Sequence, residues 1–196
     1  MIKTLVAILL LVPLCAVAQR QKRDPLSDLE VDKLRDAAQT PDVRLKLYIE
    51  FARTRLERLQ QAKADTKAAD RDQQMQDALQ DFIDIFDELD DNVDTFADRD
   101  DDLRKALKPV IEADTEFGSK LRAFKSSLAT SREEFAKYDY LVGTALQAVD
   151  DGAKDHRSLL AEQEEKFKNK KRKLTRKEAA VASSGVWPAR LANVLR

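Results

Sequence analysis

From Met75 to Val149 the chain carries an apolar residue at nearly every position reached by alternate steps of four and three residues. Nineteen of the 22 positions on this path are apolar, and the exceptions are Asp100, Asp114 and Ser131. A seam of two apolar residues in every seven is typical of helices that pack side by side. We therefore predict an all-α fold, an elongated antiparallel helical bundle with coiled-coil-like heptad packing.

Local start signals divide this pattern into helices. Ser27 and Glu30 form a capping-box sequence that begins a short helix ending near Ala38, and Thr40 followed by Pro41 begins a second. The predicted longer helices span 41–64, 69–98, 101–128 and 132–170. Their connections of two to four residues favour antiparallel neighbours. The alternative is one helix from 69 to 170, about 150 Å long, whose seam pairs with a second copy in a homo-oligomer.

Two features leave the predicted fourth helix ambiguous. Pro109 lies inside it, so the helix either kinks there or the chain breaks there rather than near Asp100. Asp114 interrupts the seam, which indicates either a rim position or a slip of register after Pro109. In the last helix, His156 lies on the seam and is interpreted as a half-buried packing residue.

The N-terminus carries the pattern of an export signal. Lys3 precedes an apolar run from 4 to 14, and Ala16-Val17-Ala18 supplies the small residues of a cleavage site. We predict a signal peptide over 1–18, with cleavage after Ala18 and a periplasmic or extracellular mature protein. The run is too short to span a bilayer, and no later run approaches that length, so no transmembrane segment is expected in the mature chain.

The predicted organisation of the mature chain has three parts. A polar leader covers 19–24, a helical bundle domain covers 25–171, and a flexible tail that passes from basic to apolar covers 172–196. The tail contains Trp187, the only tryptophan of the chain and a candidate anchor for docking.

Charge is segregated although the chain is almost neutral, with 35 Lys and Arg against 36 Asp and Glu. Residues 65–102 hold fifteen acidic and three basic side chains, whereas 166–177 hold eight basic and no acidic ones. In an antiparallel bundle both regions lie at the same end, so they can neutralise each other. Alternatively, the last helix extends beyond the bundle and its cations contact an anionic surface. These cations are Lys166, Lys168, Lys170, Lys171, Arg172, Lys173, Arg176 and Lys177.

The sequence offers little material for catalysis or cofactor binding. One His and one Cys cannot form a His/Cys metal cage, and no phosphate-binding glycine loop or nucleophile motif occurs. The segment Asp90-x-Asn92-x-Asp94 lacks the sixth-position glycine of a calcium loop. We therefore expect no enzymatic activity, no cofactor, no metal and no nucleic-acid partner.

Two functions remain compatible with these patterns. The first is a non-enzymatic exported helical bundle with a structural or protein-interaction role, whose protein partner is unknown. The second is a peripheral binder of anionic envelope surfaces, either lipid or polyanion, that uses the basic end of the last helix.

Overall fold

A computed structural model describes residues 24–129 and 131–183, with side chains up to residue 180. This part of the chain forms five helices and no strand. They are α1 (Asp28–Asp36), α2 (Pro41–Ala64), α3 (Arg71–Asp98), α4 (Leu107–Leu128) and α5 (Arg132–Ser183). The predicted all-α helical bundle is confirmed, and a continuous helix from 69 to 170 is wrong. The predicted signal peptide and Trp187 lie outside the described residues.

Helices α2 to α5 run alternately up and down, and α1 packs on α2. Arg53 of α2 pairs with Glu116 of α4, and Asp42 with Lys105 before α4, so α2 and α4 run parallel. Helices α3 and α5 are also parallel, because Tyr138 donates a hydrogen bond to Asp72 at one end and Lys166 pairs with Asp100 at the other. Within the described residues, α3 packs against α2 and α5 but lies diagonally across the bundle from α4.

The connection from α3 to α4 is longer than predicted because it crosses this diagonal. It covers Arg99 to Ala106, and the predicted helix start at 101 is wrong. Asp100 adopts the left-handed conformation, with φ of 60°, and thereby turns the chain out of α3. Pro109 falls in the first turn of α4, where its missing N–H leaves no helical hydrogen bond unmade. The expected kink or break at Pro109 is therefore also wrong.

Helix α5 is 52 residues long, about 78 Å, and it passes through Gly143 and Gly152 without ending. The predicted helix end at 170 is wrong, since the first twelve residues of the predicted tail, 172–183, are helical. None of the helices in the described ranges is long and apolar enough to cross a membrane.

The apolar seam forms most of the core. Eighteen of its nineteen apolar residues are buried and Phe135 is half-buried. Phe82 and Phe86 of α3 meet Phe117 of α4 across the bundle diagonal, with ring centroids 5.4 and 6.4 Å apart. The seam residues of α3, α4 and α5 thus form one core together with apolar residues of α2.

Candidate functional site

The basic part of α5 begins where the bundle ends. Lys166 pairs with Asp100, and the Arg104 guanidinium lies 3.9 Å from the centre of the Phe167 ring. Hydrogen bonding to Lys166 lowers the pKa of Asp100, with a smaller contribution from the charge of Lys170. The prediction that the acidic and basic regions lie at the same end of the bundle is confirmed at this contact.

Beyond Phe167, α5 projects away from the other helices. Every side chain from 168 to 180 is exposed, although the helix continues to Ser183. The sixteen residues after Phe167 correspond to about 24 Å of helix. This part of α5, residues 168–183, is called the projecting segment below.

The eight candidate cations are divided by this boundary. Lys166 belongs to the bundle, where it acts as a counter-charge to Asp100. The other seven lie on the projecting segment and are all exposed: Lys168, Lys170, Lys171, Arg172, Lys173, Arg176 and Lys177. They form a positively charged stretch of helix beyond the end of the bundle.

A second polar site lies inside the bundle and involves three helices. His156 of α5 is only 2% exposed, and its Nδ1 lies 3.0 Å from Oδ2 of Asp114 on α4. Its Nε2 lies 3.1 Å from Oδ1 of Asp90 on α3. In the protonated ring both nitrogens carry a proton, so the imidazolium hydrogen-bonds Asp114 and forms an ion pair with Asp90.

The charge state of His156 follows from these contacts. Burial by itself lowers the pKa of His156, but the hydrogen bonds and charges of Asp114 and Asp90 outweigh it and raise the pKa to about 9. The ring is therefore cationic at neutral pH. Burial also raises the pKa of Asp90, against the effect of His156.

These contacts correct two sequence interpretations. His156 is not a half-buried packing residue but the centre of a buried ionic cluster. Asp114 neither faces the rim nor marks a slip of register, because it is 2% exposed and stays in line with the seam. A signal for this site was present, since Asp114 and His156 are polar residues on a seam that is otherwise almost entirely apolar.

Gly152 allows α3 and α5 to approach closely beside this cluster. A Cβ atom at this position would lie 3.0 Å from Oδ2 of Asp90 and 3.0 Å from the Phe86 ring. A glycine in mid-helix costs about 1 kcal/mol relative to alanine. The close packing on Phe86 gives the physical reason for this glycine.

The polar contacts of Arg55 join α1 and its leading segment to the bundle. Arg55 of α2 is buried and makes two hydrogen bonds of 2.6 Å to the carboxylate of Glu30, with a third to the carbonyl oxygen of Pro25. Burial alone would raise the pKa of Glu30, but Arg55 and Ser27 lower it to about 2. This ion pair was not predicted, although a signal was present: Arg55 is the polar residue in a series of α2 positions spaced by three and four, whose other members are Leu45, Tyr48, Ala52, Leu59 and Ala62.

The described residues contain no group of three or more His, Cys, Asp and Glu side chains arranged to hold a metal ion. Both nitrogens of His156 are occupied by carboxylates inside a packed core. This cluster can therefore pair charges between helices but has no free ring nitrogen for a ligand. The cations of the projecting segment are exposed to solvent and can contact a ligand.

Comparison with known proteins finds no matching family model, no matching curated protein and no matching solved structure.

Proposed function

We propose that this protein is a non-enzymatic, exported helical-bundle protein that binds anionic envelope surfaces through the projecting segment of α5. One observation carries the proposal: seven exposed cations lie beyond the contacts of Lys166 and Phe167, on a helix with no acidic residue between 166 and 177. The bundle serves as the folded base that holds this segment away from its own acidic surface.

The expected strength of binding follows from the shape of the segment. The cations wind around the helix at 3.6 residues per turn, so about half of them can face a flat surface at one time. Each Lys or Arg near an anionic membrane contributes about 1 kcal/mol. Three or four such contacts give weak, reversible attachment, with a dissociation constant on the order of 1 mM. A polyanion that wraps around the helix can contact more of the cations and bind more tightly.

The test neutralises four cations at the centre of the segment, namely Lys170, Lys171, Arg172 and Lys173, each to Gln. Binding to vesicles rich in phosphatidylglycerol should weaken at least about tenfold, and so should binding to a soluble polyanion such as heparin. Which of the two ligands binds more tightly to the unaltered protein distinguishes a lipid surface from a polymer. Vesicles of phosphatidylcholine alone should bind neither protein.

A matched control removes the same charge from the body of the bundle. Four exposed cations there are changed to Gln: Lys33, Lys46, Lys108 and Arg157. This control should retain binding, although its net charge equals that of the first variant. Binding of the unaltered protein should also fall with salt, because the Debye length shrinks from about 30 Å at 0.01 M to about 10 Å at 0.1 M.

The second candidate function, a purely structural role, is favoured by the pairing of Lys166 with Asp100. In that case the basic region serves as the internal counter-charge of α3 and the loop after it. The quadruple variant at 170–173 would then lose thermal stability and keep its binding to vesicles and heparin. That result would overturn the anionic-surface proposal.

A further inference from the structure

A row of acidic side chains lies on the outer face of α3, in the half of the helix that ends near Asp100. Its residues follow each other at spacings of four, three and four, which places them on one side of a helix, and all are exposed: Asp87, Asp91, Asp94 and Asp98. Asp91, Asp94 and Asp98 form no ion pair with any other described residue. Like charges three or four residues apart repel each other, so cations placed along this row, called the acidic row below, would stabilise it.

The basic part of α5 carries a row of cations with the same spacing. Lys166, Lys170, Lys173 and Lys177 also follow each other at steps of four, three and four, and they form the basic row. Its first residue pairs with Asp100, directly after α3 in the same chain. The other three lie on the projecting segment, are exposed and form no ion pair with a described residue. Within the described residues, the basic row therefore has an acidic partner at Lys166 only.

The acidic and basic rows cannot meet within one chain. Helices α3 and α5 run parallel, and α3 ends at Asp98, beside the point where the projecting segment begins. From there α5 continues for about 24 Å away from the acidic row of its own chain. A second copy of the chain can bring its acidic row to this segment.

We propose that the protein forms a dimer with two-fold symmetry, in which the basic row of each copy lies along the acidic row of the other. A two-fold axis perpendicular to the helices makes the projecting segment of one copy antiparallel to α3 of the second copy. Each row extends over eleven residue steps, about 16 Å, so the charges of the two rows match in this register. The resulting pairs are Lys170 with Asp94, Lys173 with Asp91 and Lys177 with Asp87. Because both copies use the same two surfaces, the contact closes on itself and produces no larger assembly.

Charge pairing determines the expected properties of this dimer. Each pair joins two exposed side chains, and pairs of this kind are weak and are screened by salt. The dimer is therefore expected at low ionic strength and at high protein concentration. It requires no envelope surface, so it is independent of the proposed function, although anionic ligands compete with it for the same cations.

Exchange of charges between the two rows tests the proposed pairing. One variant reverses two acidic positions, Asp91→Lys and Asp94→Lys, and the other reverses their two partners, Lys170→Glu and Lys173→Glu. Each variant alone places like charges opposite each other, so its association constant should fall at least about tenfold below that of the unaltered protein. An equimolar mixture of the two variants should dimerise again, because both contacts then pair opposite charges. Sedimentation equilibrium at an ionic strength of about 0.01 M measures the molar mass in each case, and the unaltered protein should be monomeric at about 1 M, where the Debye length is about 3 Å.

A matched control reverses two exposed acidic residues of α2, Glu50→Lys and Glu57→Lys, and should dimerise like the unaltered protein. Its net charge equals that of the variant with two lysines on α3. An unaltered protein that stays monomeric at low ionic strength up to about 1 mM overturns the proposal. A dimer that survives either charge reversal, or that mixing the two variants does not restore, also overturns it. Circular dichroism verifies that each variant remains folded, as expected because all the altered side chains are exposed.

Discussion

Replacing His156 by Gln should remove most of the pH dependence of stability between neutral and alkaline pH. The folded protein raises the pKa of this side chain from 6.5 to about 9. This difference in pKa contributes about 3 kcal/mol to the free energy of unfolding, because one pKa unit equals 1.36 kcal/mol. A raised pKa means that the folded state binds the proton more tightly than the unfolded state. The stabilisation is therefore complete below pH 6.5 and is lost as the pH rises through about 9.

Urea unfolding followed by circular dichroism at pH 6, 7, 8, 9 and 10 would measure this loss. The free energy of unfolding of the unaltered protein should fall by about 3 kcal/mol across the series, with a slope approaching 1.4 kcal/mol per pH unit in the middle. The variant should show a nearly flat profile up to pH 9. His156 is the only histidine of the chain, so no other imidazole titrates in this range.

The two carboxylates provide the internal comparison. The side chain of Asp114 is 1% exposed and that of Asp90 is 35% exposed, so solvent screens the contact with Asp90 more strongly. Asp114→Asn should therefore reduce the pH dependence more than Asp90→Asn does. A parallel loss of stability in the unaltered protein and the His156→Gln variant between pH 6.5 and 9 would show that His156 does not cause the pH dependence.

Three further predictions can be checked by the same unfolding assay or by N-terminal sequencing. Phe82→Asp should cost about 4 kcal/mol or more. Asp84→Asn, at a half-buried position of α3 where the amide oxygen can still accept the hydrogen bond from Gln80, should stay within about 0.5 kcal/mol; equal losses would show that the seam is not the core. A Cβ atom at position 143 has no neighbour within 4 Å, so Gly143→Ala should stabilise the protein by about 0.8 kcal/mol. A Cβ atom at position 152 lies 3.0 Å from α3, so the Gly152→Ala protein should be at least about 1 kcal/mol less stable than the Gly143→Ala protein. Equal effects of the two substitutions would contradict the close packing at Gly152. N-terminal sequencing of the exported protein should begin at Gln19, and a retained Met1 would contradict export.

Local sequence signals were sufficient to predict the fold class, the starts of α1, α2 and α5, and the eighteen seam residues among the 34 buried hydrophobic residues of the described chain. Each of these depends on neighbours along the chain. Pro41 marks the start of α2 because its fixed φ suits the first turn of a helix, although the side chain of Thr40 makes no capping hydrogen bond. The seam predicts burial because its residues return to the same side of a helix every seven positions. The basic run after Lys166 could also be recognised, because its residues are neighbours along the chain.

Where the local signals were ambiguous, the helix boundaries and the exposure of α5 depended on tertiary packing. The acidic run around Asp100 and the proline at 109 both indicated a break between helices. The break lies between Asp98 and Leu107, because the chain needs a loop long enough to cross the bundle diagonal there. The exposure of the projecting segment was decided by the position of Asp100 and Arg104, where the bundle stops contacting α5.

The buried cluster is the clearest case of a feature that depends on tertiary packing and not on local sequence. Asp90, Asp114 and His156 come from three helices and are separated by 24 and 42 residues along the chain. From its own stretch of sequence, Asp90 was considered only as part of an incomplete calcium loop, and Asp114 as a rim position or a slip of register. His156 was interpreted as a packing residue. Only the packing of α3, α4 and α5 brings their charged atoms within about 3 Å, where pairing offsets the cost of burying them.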